Sequence, residues 1–511
     1  MAQTDPGSVD LTNCETEPIR FPGTIQPHGA LLVVQVHTGL VLAASESCEE
    51  LLGRPAASFA ERTLGELLGT EAQVALMSAL QDGARNRIPL SVKGIPLLAK
   101  TIPNGTGQLL VEFERDEPAY ADFQTLLYRC RLDIAELRRL DDLDAVVGRA
   151  AQVVRSLTEF DRVMIYRFDE HWNGEVIAEA CAPGIESYLG LHYPAGDIPR
   201  QARELFRTGG IRHLPDVHYE PSALVSTADG RSFDLGAVSL RSVSPVHLEY
   251  LRNMGVRATL VGSLVVRDRL WGLVSCQHVR GPKRFGPRER DALEWLCEDL
   301  AALIGATIVG RRGEREYALW VRRKNLVDAI RRGSVKDLVR QANPADLLEV
   351  AGADGFALVT DGAIQTVGVT PSNERIRELD RRRGAQAGRH SPCFTKNLVH
   401  DLGVADWGDG ISGVLFVTAR QDPALTLAWF RRERNQTIRW GGDPGRAHVA
   451  DENGRISPRT SFALFLEEIR GQCLAWSPEE VNSAAELGAL VESECVHERE
   501  ALARSLLPSP S

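Results

Sequence analysis

The sequence predicts an α+β chain of three modules in series, each an antiparallel sheet flanked by helices. Three observations carry this expectation. At 511 residues the chain is too long for one ordinary domain, and about 150 residues per domain gives roughly three. The composition is globular, 43% hydrophobic and 25% charged, so sizeable cores can form. Short strand-like runs alternate with helical stretches in three successive blocks, a helix-strand-helix plan repeated along the chain.

In the first block, residues 28 to 117, the apolar runs Ala30–Val36, Gly39–Ala44 and Gln108–Phe113 read as strands and Leu64–Leu68 as a helix. The acidic stretch Glu114-Arg115-Asp116-Glu117-Pro118 marks a boundary. Helices at Ala121–Leu140 and Leu143–Leu157 open the second block. Strands at Arg162–Phe168 and Gly174–Cys181 follow, and then a hairpin of Val256–Arg267 and Leu270–Cys276 around Arg267-Asp268-Arg269. A helical segment from about Arg288 to Arg332 is weakened by Gly305, Gly310 and Gly313 but stopped by no proline, a length suited to joining domains. In the third block Gly355–Thr360, Gly413–Thr418 and Leu425–Phe430 read as strands and Pro478–Leu507 as a closing helix.

Net charge is −10, which disfavours nucleic acid or an anionic membrane as the main partner. No apolar run approaches the ~20 residues of a membrane span. The first residues lack the basic and apolar regions of a signal peptide, so a cytoplasmic location is expected. Nine cysteines, none in a CxxC pair, point to reduced thiols and no zinc framework. Cys14 stands apart. It lies in a leader without helix or strand periodicity, badly placed for packing and well placed to attach something. Glu15 and Glu17 should raise its thiol pKa, which fits slow, once-only bond formation rather than turnover.

Three local motifs stand out. Ser244 to Gly255 reads as a short helix, with serine as N-cap, proline in the first turn and glycine past the end. His247, Tyr250, Leu251 and Met254 fall on one face of it. Tyr193-Pro194-Ala195-Gly196-Asp197-Ile198-Pro199 leads into another helix, with Asp197 placed as a cap. Trp440-Gly441-Gly442-Asp443-Pro444 and Ser457-Pro458-Arg459-Thr460-Ser461-Phe462 bracket a long surface excursion; the Lys-Ser/Thr of a phosphate loop is absent.

In order and spacing these segments, with Ile25-Gln26-Pro27-His28-Gly29 and Leu270-Trp271-Gly272-Leu273, resemble the photosensory region of the bacterial phytochromes. The resemblance covers nearly the whole chain. It implies a leader at 1–27 carrying the chromophore cysteine, a PAS domain at 28–118, a GAF domain at 119–310 and a PHY domain at 311–511. It further implies a figure-of-eight knot with Ile25 at the crossing, and a hairpin "tongue" at about 430–470. The implied function is red/far-red light reception by biliverdin IXα, a linear tetrapyrrole held by a thioether to Cys14. The rival attachment position of plant-type relatives is Val246 here. Arg212 and Arg241 match propionate-binding arginines, suited to carboxylates by their paired donors. His247 and the carbonyl of Asp197 match groups at the pyrrole nitrogens, and Tyr166, Tyr193 and Tyr250 match aromatic neighbours. Ile198, Pro199, Phe206, Ser244, Thr259 and Gln277 complete the implied pocket. Asp197, Arg459, Ser461 and Trp440 are the implied signalling residues, with an Asp197–Arg459 pair in one state.

The chain departs from the family pattern at three positions. Gln277 stands where a histidine is usual, and His278, on the opposite strand face, does not simply replace it. Gly196 replaces a serine. Phe206 replaces a tyrosine that reaches Asp197. Incomplete photoconversion or fast dark return is therefore expected. The resemblance also implies a homodimer through GAF and the long helices, and an output kinase domain or response regulator. Kinase glycine boxes are not found after the PHY region, so this chain is not expected to be an enzyme by itself. Two other readings use the same residues: a sensor of a diffusible ligand such as a cyclic nucleotide or haem, with His247 as axial ligand, and an enzyme using Cys14 or His247, for which no nucleophile-base-orienter set is evident.

Overall fold

The computed structural model describes residues 17–59, 61–81, 87–117, 123–208, 210–226, 232–386, 392–404, 408, 410–419, 425–446, 448–450, 456–458 and 461–505. Cys14 and Arg459 lie outside the described residues. The chain forms two compact units, one of residues 1–308 with 439–465, the other of 309–438 with 466–511.

The first unit holds two sheets. Strands β1 (Thr24–Ile25), β2 (Gly29–Gln35) and β3 (Val41–Ser45) come first. Helices α1 (Cys48–Leu52), α2 (Leu64–Leu68) and α3 (Thr70–Gln81) follow, then β4 (Ile88–Val92), β5 (Ile95–Pro103) and β6 (Gln108–Arg115). The α2 start is a reciprocal capping box: the Thr63 hydroxyl accepts from Glu66 N, and the Glu66 carboxylate accepts from Thr63 N at 2.8 Å. Helices α4 (Phe123–Leu137) and α5 (Leu143–Thr158) lead into β7 (Arg162–Phe168), β8 (Gly174–Cys181) and β9 (His192–Tyr193). Next come α6 (Arg200–Thr208), β10 (Ile211–Leu214), β11 (Ser222–Ser226), α7 (Pro245–Asn253), β12 (Ala258–Val266), β13 (Arg269–His278) and α8 (Pro287–Arg332). The β12–β13 turn places Arg267 and Asp268 at φ 51° and 60°, the left-handed pair of a two-residue hairpin.

The first sheet runs β1-β11-β3-β2-β6-β5-β4. Its β11 comes from far along the chain and extends the sheet edge through Val225↔Ala44. The leader is held on both sides: Thr24 pairs with Ala223, while Gln26 N donates to Leu240 O and Leu235 N to Arg20 O. Ile25 is fully buried against Phe233, Leu235, Val238 and Leu240. The second sheet runs β10-β12-β13-β7-β8-β9 and continues into strands of the late excursion. One face packs on α4, α5 and the first half of α8 through Val147, Ala151, Val274 and Leu296. The other face carries the site described below.

The second unit contains α9 (Leu338–Gln341), α10 (Pro344–Glu349), β14 (Gly355–Thr360), β15 (Ala363–Gly368), α11 (Asn373–Gln386), β16 (Cys393–Thr395), α12 (Leu398–Leu402), β17 (Ile411–Thr418) and β18 (Thr426–Arg432). Its sheet runs β15-β14-β18-β17-β16. Helices cover both faces, so β17 and β18 are almost continuously buried rather than alternating. The excursion contains β19 (Gln436–Gly441), β20 (His448–Ala450), β21 (Ile456–Pro458) and β22 (Leu464–Ile469), with β20 and β21 paired antiparallel. The chain closes in α13 (Pro478–Ser505).

The α+β class and antiparallel sheets agree with expectation. Strands β4 and β5 and helix α3 were not anticipated. Nor was the sharing of a sheet between the first two blocks. Among the described residues, no helix is long and apolar enough to cross a membrane.

Candidate functional site

A cavity of about 320 Å³ lies over strands β7, β12 and β13, walled by α6, α7 and the segment 236–244. Its lining includes Tyr166, Tyr193, Asp197, Ile198, Pro199, Phe206, Arg212, Arg241, Ser244, His247, Tyr250, Thr259 and Gln277. Trp440 and Ser461 are placed elsewhere. Trp440 packs its indole on His192 at 5.8 Å where β19 meets β9. Ser461 is exposed and accepts from Ala463 N through its hydroxyl.

The aromatic wall is set by strand alternation. Tyr166 meets Phe168 edge-on at 5.3 Å, and Phe168 meets Trp172 at 5.6 Å. Two glycines make room. A Cβ on Gly174 would fall 1.7 Å from the Tyr166 ring, and one on Gly441 2.7 Å from the Tyr193 ring.

At the other end two guanidinium groups are enclosed together. Arg212 donates to the carbonyls of Val238 and Ser239, both at 3.0 Å, and to that of Arg241. Arg241 donates to Gly236 O at 2.9 Å. These acceptors are neutral. The nearby carboxylate of Asp234 is engaged by Arg20 of the leader at 2.5 Å. Burial, then the like charge of Arg212, pushes Arg241 down to about 8; burial pushes Arg212 down to about 10. Arginine does not give up its proton under these conditions, so both groups remain buried cations held by neutral acceptors.

His247 lies between the two ends. Its ring is open to the cavity but enclosed by protein beyond it. Burial, with a smaller contribution from Arg212, pushes it down to about 4 and keeps it neutral near pH 7. Tyr250 stacks on it at 5.9 Å with planes 11° apart. The Tyr250 hydroxyl donates to Asp197 Oδ2 at 2.9 Å, and Phe462 closes edge-on against Tyr250 at 5.1 Å. Tyr250 thus gives Asp197 a tyrosine hydroxyl where Phe206 has none. One expectation is corrected here. Asp197 sits in a 3-10 turn, Ala195–Asp197, one turn ahead of α6, with its carboxylate turned to Tyr250 rather than spent on a helix cap.

Ser244 is a second correction. It precedes α7 but makes no capping bond; its hydroxyl donates to Glu17 Oε2 at 2.7 Å, tying the leader to the cavity rim. The sequence also missed Arg162. This buried side chain faces Gln277 across the β7–β13 pair and donates to Gln277 Oε1 at 2.8 Å. Strand alternation from Gln277 and Thr259 was the signal that could have found it. As expected, His278 points the other way, with Nδ1 2.9 Å from Asp161. A buried ionic network borders the cavity and was equally unforeseen: Arg87 and Arg290 both reach Glu114, and Arg87 reaches Asp291 at 2.9 Å. Its members are spread over β6, α8 and the segment before β4, so no local motif announces it.

Among the described residues no cluster of His, Cys, Asp and Glu could hold a metal ion. Burial raises Cys276 and Cys297 far above the usual thiol range.

Comparison with known proteins gives consistent matches. Family models match residues 14–104 as a PAS fold, 142–308 as a GAF domain and 319–500 as a phytochrome region. The chain is 38% identical to a bacteriophytochrome of Xanthomonas campestris pv. campestris, over 95% of this chain and 78% of that one. It is 33% identical to a bacteriophytochrome of Pseudomonas aeruginosa, over 94% of this chain and 66% of that one, so it spans just under two thirds of that relative. Among solved structures it is similar to the photosensory core module of a Stigmatella aurantiaca phytochrome, at TM-score 0.79 and 34% identity, covering 96% of this chain and 99% of that one. A bacteriophytochrome of R. palustris matches at TM-score 0.81 and 32% identity, covering 95% and 99%.

Proposed function

The chain belongs to the bacteriophytochrome family, carrying the PAS, GAF and PHY regions of its photosensory core, and from that premise we propose that it is a red/far-red light receptor with biliverdin IXα attached to Cys14. The observation that carries the reading is the pair of enclosed guanidinium groups, Arg212 and Arg241, whose acceptors on the protein are neutral carbonyls. A linear tetrapyrrole brings two propionates, the complement of two cations bonded only to neutral carbonyls. The elongated aromatic wall and the neutral imidazole of His247 suit a flat conjugated body between the charged end and Gln277.

Bound biliverdin supplies light absorption and isomerisation of its C15=C16 double bond, the Pr/Pfr photoconversion. The residues of the chain do the rest. Arg212 and Arg241 anchor carboxylates. His247 and Asp197 present polar atoms to the pyrrole nitrogens. Tyr250 holds the Asp197 carboxylate in place until Asp197 exchanges partners. Arg459 is the proposed second partner; its sequence neighbours Pro458 and Phe462 reach the cavity wall and Tyr250. The leader, stitched between β11 and residues 235–242, supports the knot reading with Ile25 at the crossing. We further propose a cytoplasmic homodimer that signals through an output kinase or response regulator. Gln277 in place of histidine is proposed to shorten the life of Pfr or limit its yield.

The test is assembly of the purified chain with biliverdin. A far-red-absorbing adduct that survives denaturation is expected, and Cys14→Ser is expected to abolish the covalent bond. Pigment that stays attached in that variant overturns the linkage. A fully formed, long-lived Pfr in the unaltered protein, no longer-lived in Gln277→His, overturns the role given to Gln277.

A further inference from the structure

The Arg162–Gln277 contact decides what the far end of the cavity offers a ligand. Arg162 is held from four sides. Its Nη1 donates to Gln277 Oε1 at 2.8 Å and its Nη2 to Glu186 O at 2.5 Å. Its Nε lies 3.3 Å from Glu179 Oε1, and its guanidinium sits 3.6 Å over the Tyr188 ring. Glu179 is itself fixed, accepting from the Ser187 hydroxyl and Tyr188 N. Three of these anchors do not involve Gln277, so Arg162 is the rigid partner and the amide the one that adapts.

A guanidinium can only donate. It therefore selects the amide sense of Gln277: the oxygen turns to Arg162, and the NH₂ group is left for whatever occupies the cavity. We propose that Arg162 is a positioning residue which locks Gln277 as a hydrogen-bond donor toward the bound pigment. The donor would act on the carbonyl of the pigment's terminal ring. This rests on the bilin reading of the cavity and deepens it. It also explains how glutamine can serve at this position at all. Left to itself an amide can present either end; opposite a fixed cation it presents one. An imidazole at 277 would instead spend an acceptor nitrogen on Arg162.

Two measurements on the full chain test this. The first needs no pigment. A double-mutant cycle of Arg162→Met and Gln277→Leu in the apoprotein is expected to show coupling of roughly tenfold or more in the unfolding constant, the usual scale for a buried bond to a charged group. Arg162→Lys, which keeps a buried cationic donor, is expected to restore part of it and serves if the methionine variant does not fold. Additive effects overturn the proposal. The second reads the pigment's ring carbonyl by vibrational spectroscopy in the assembled protein. Gln277→Leu and Gln277→Glu are both expected to move the band to higher wavenumber, since a carboxylate beside Arg162 stays ionised and cannot donate. If Gln277→Leu leaves the band where the unaltered protein has it, no donor at 277 reaches the ring carbonyl and the proposal is overturned. If the unaltered chain takes up no pigment, the bilin reading fails, and the apoprotein cycle still decides whether Arg162 orients Gln277.

Discussion

Arg212 and Arg241 are buried cations whose hydrogen-bond acceptors on the protein are neutral, with Glu112 and Asp234 offsetting only part of the cost of burial. Both guanidinium groups are hydrogen-bonded, yet to carbonyls, which satisfy N–H groups without cancelling charge. A site built this way trades stability of the empty protein for affinity toward an anion. Arg241→Met should then have opposite effects in two assays. The apoprotein gains about 1 kcal/mol or more, because a buried unpaired charge is removed. Biliverdin uptake weakens at least tenfold, because a carboxylate loses its partner. Thermal melts with and without pigment check both signs; a variant destabilised in both states would mean that Arg241 is mainly a structural tie to Gly236.

At the scale of elements, close approach decides where the late strands can lie. β19 meets β9 through Trp440↔His192, and Gly441 lets its backbone pass the Tyr193 ring. A methyl group there would stand 2.7 Å from the ring, closer than a Cβ tolerates. Gly441→Ala should loosen this strand, at a cost of roughly 1–3 kcal/mol, while α7 and β12 keep their protection. Hydrogen exchange over residues 439–465 is the measurement. Equal protection in variant and unaltered protein would show that the strand yields elsewhere. The same element shows why Tyr193 reads as a cavity residue and yet also as a support for the strand behind it.

The whole molecule adds two expectations. Several buried groups bind protons more weakly than when unfolded. Burial pushes His28 down to about 4, against the pull of Glu114. Burial would raise Glu114, but Arg290, Arg87 and His28 outweigh it and hold it at about 2. For both, the unfolded chain takes up protons first as pH falls, so stability is lost on acidification. The histidine part falls between about pH 6.5 and 4, and the Glu114 part from about 4.5 down to 2. Apoprotein melts across pH should show this slope, and His28→Gln should flatten the upper part; an unchanged slope would place it on other groups. The second expectation concerns assembly. Tyr128 and Leu132 on α4 and Trp295 on α8 are large apolar side chains left exposed, at 64%, 51% and 47%. They fit a homodimer face. Leu132→Glu with Trp295→Glu should give monomers by light scattering while pigment uptake persists; an unchanged mass would exclude this face.

Local pattern was enough for much of this. Strands Arg162–Phe168, Gly174–Cys181 and Gly355–Thr360 lie where apolar runs put them, and helix α2 where its capping box does, because these signals act over a few residues. The order of short motifs was enough for the family, since it depends on spacing along the chain. Other features required distant segments to meet. β11 joins a sheet whose other strands lie far from it in sequence. Ser244 gives up its cap to hold Glu17, and Tyr250 supplies the hydroxyl that Phe206 lacks. Most of all, the sequence named Gln277 but not the buried Arg162 across the strand pair that turns its amide. Which end of an amide faces a cavity is set by the partner behind it, and only the folded chain supplies that partner.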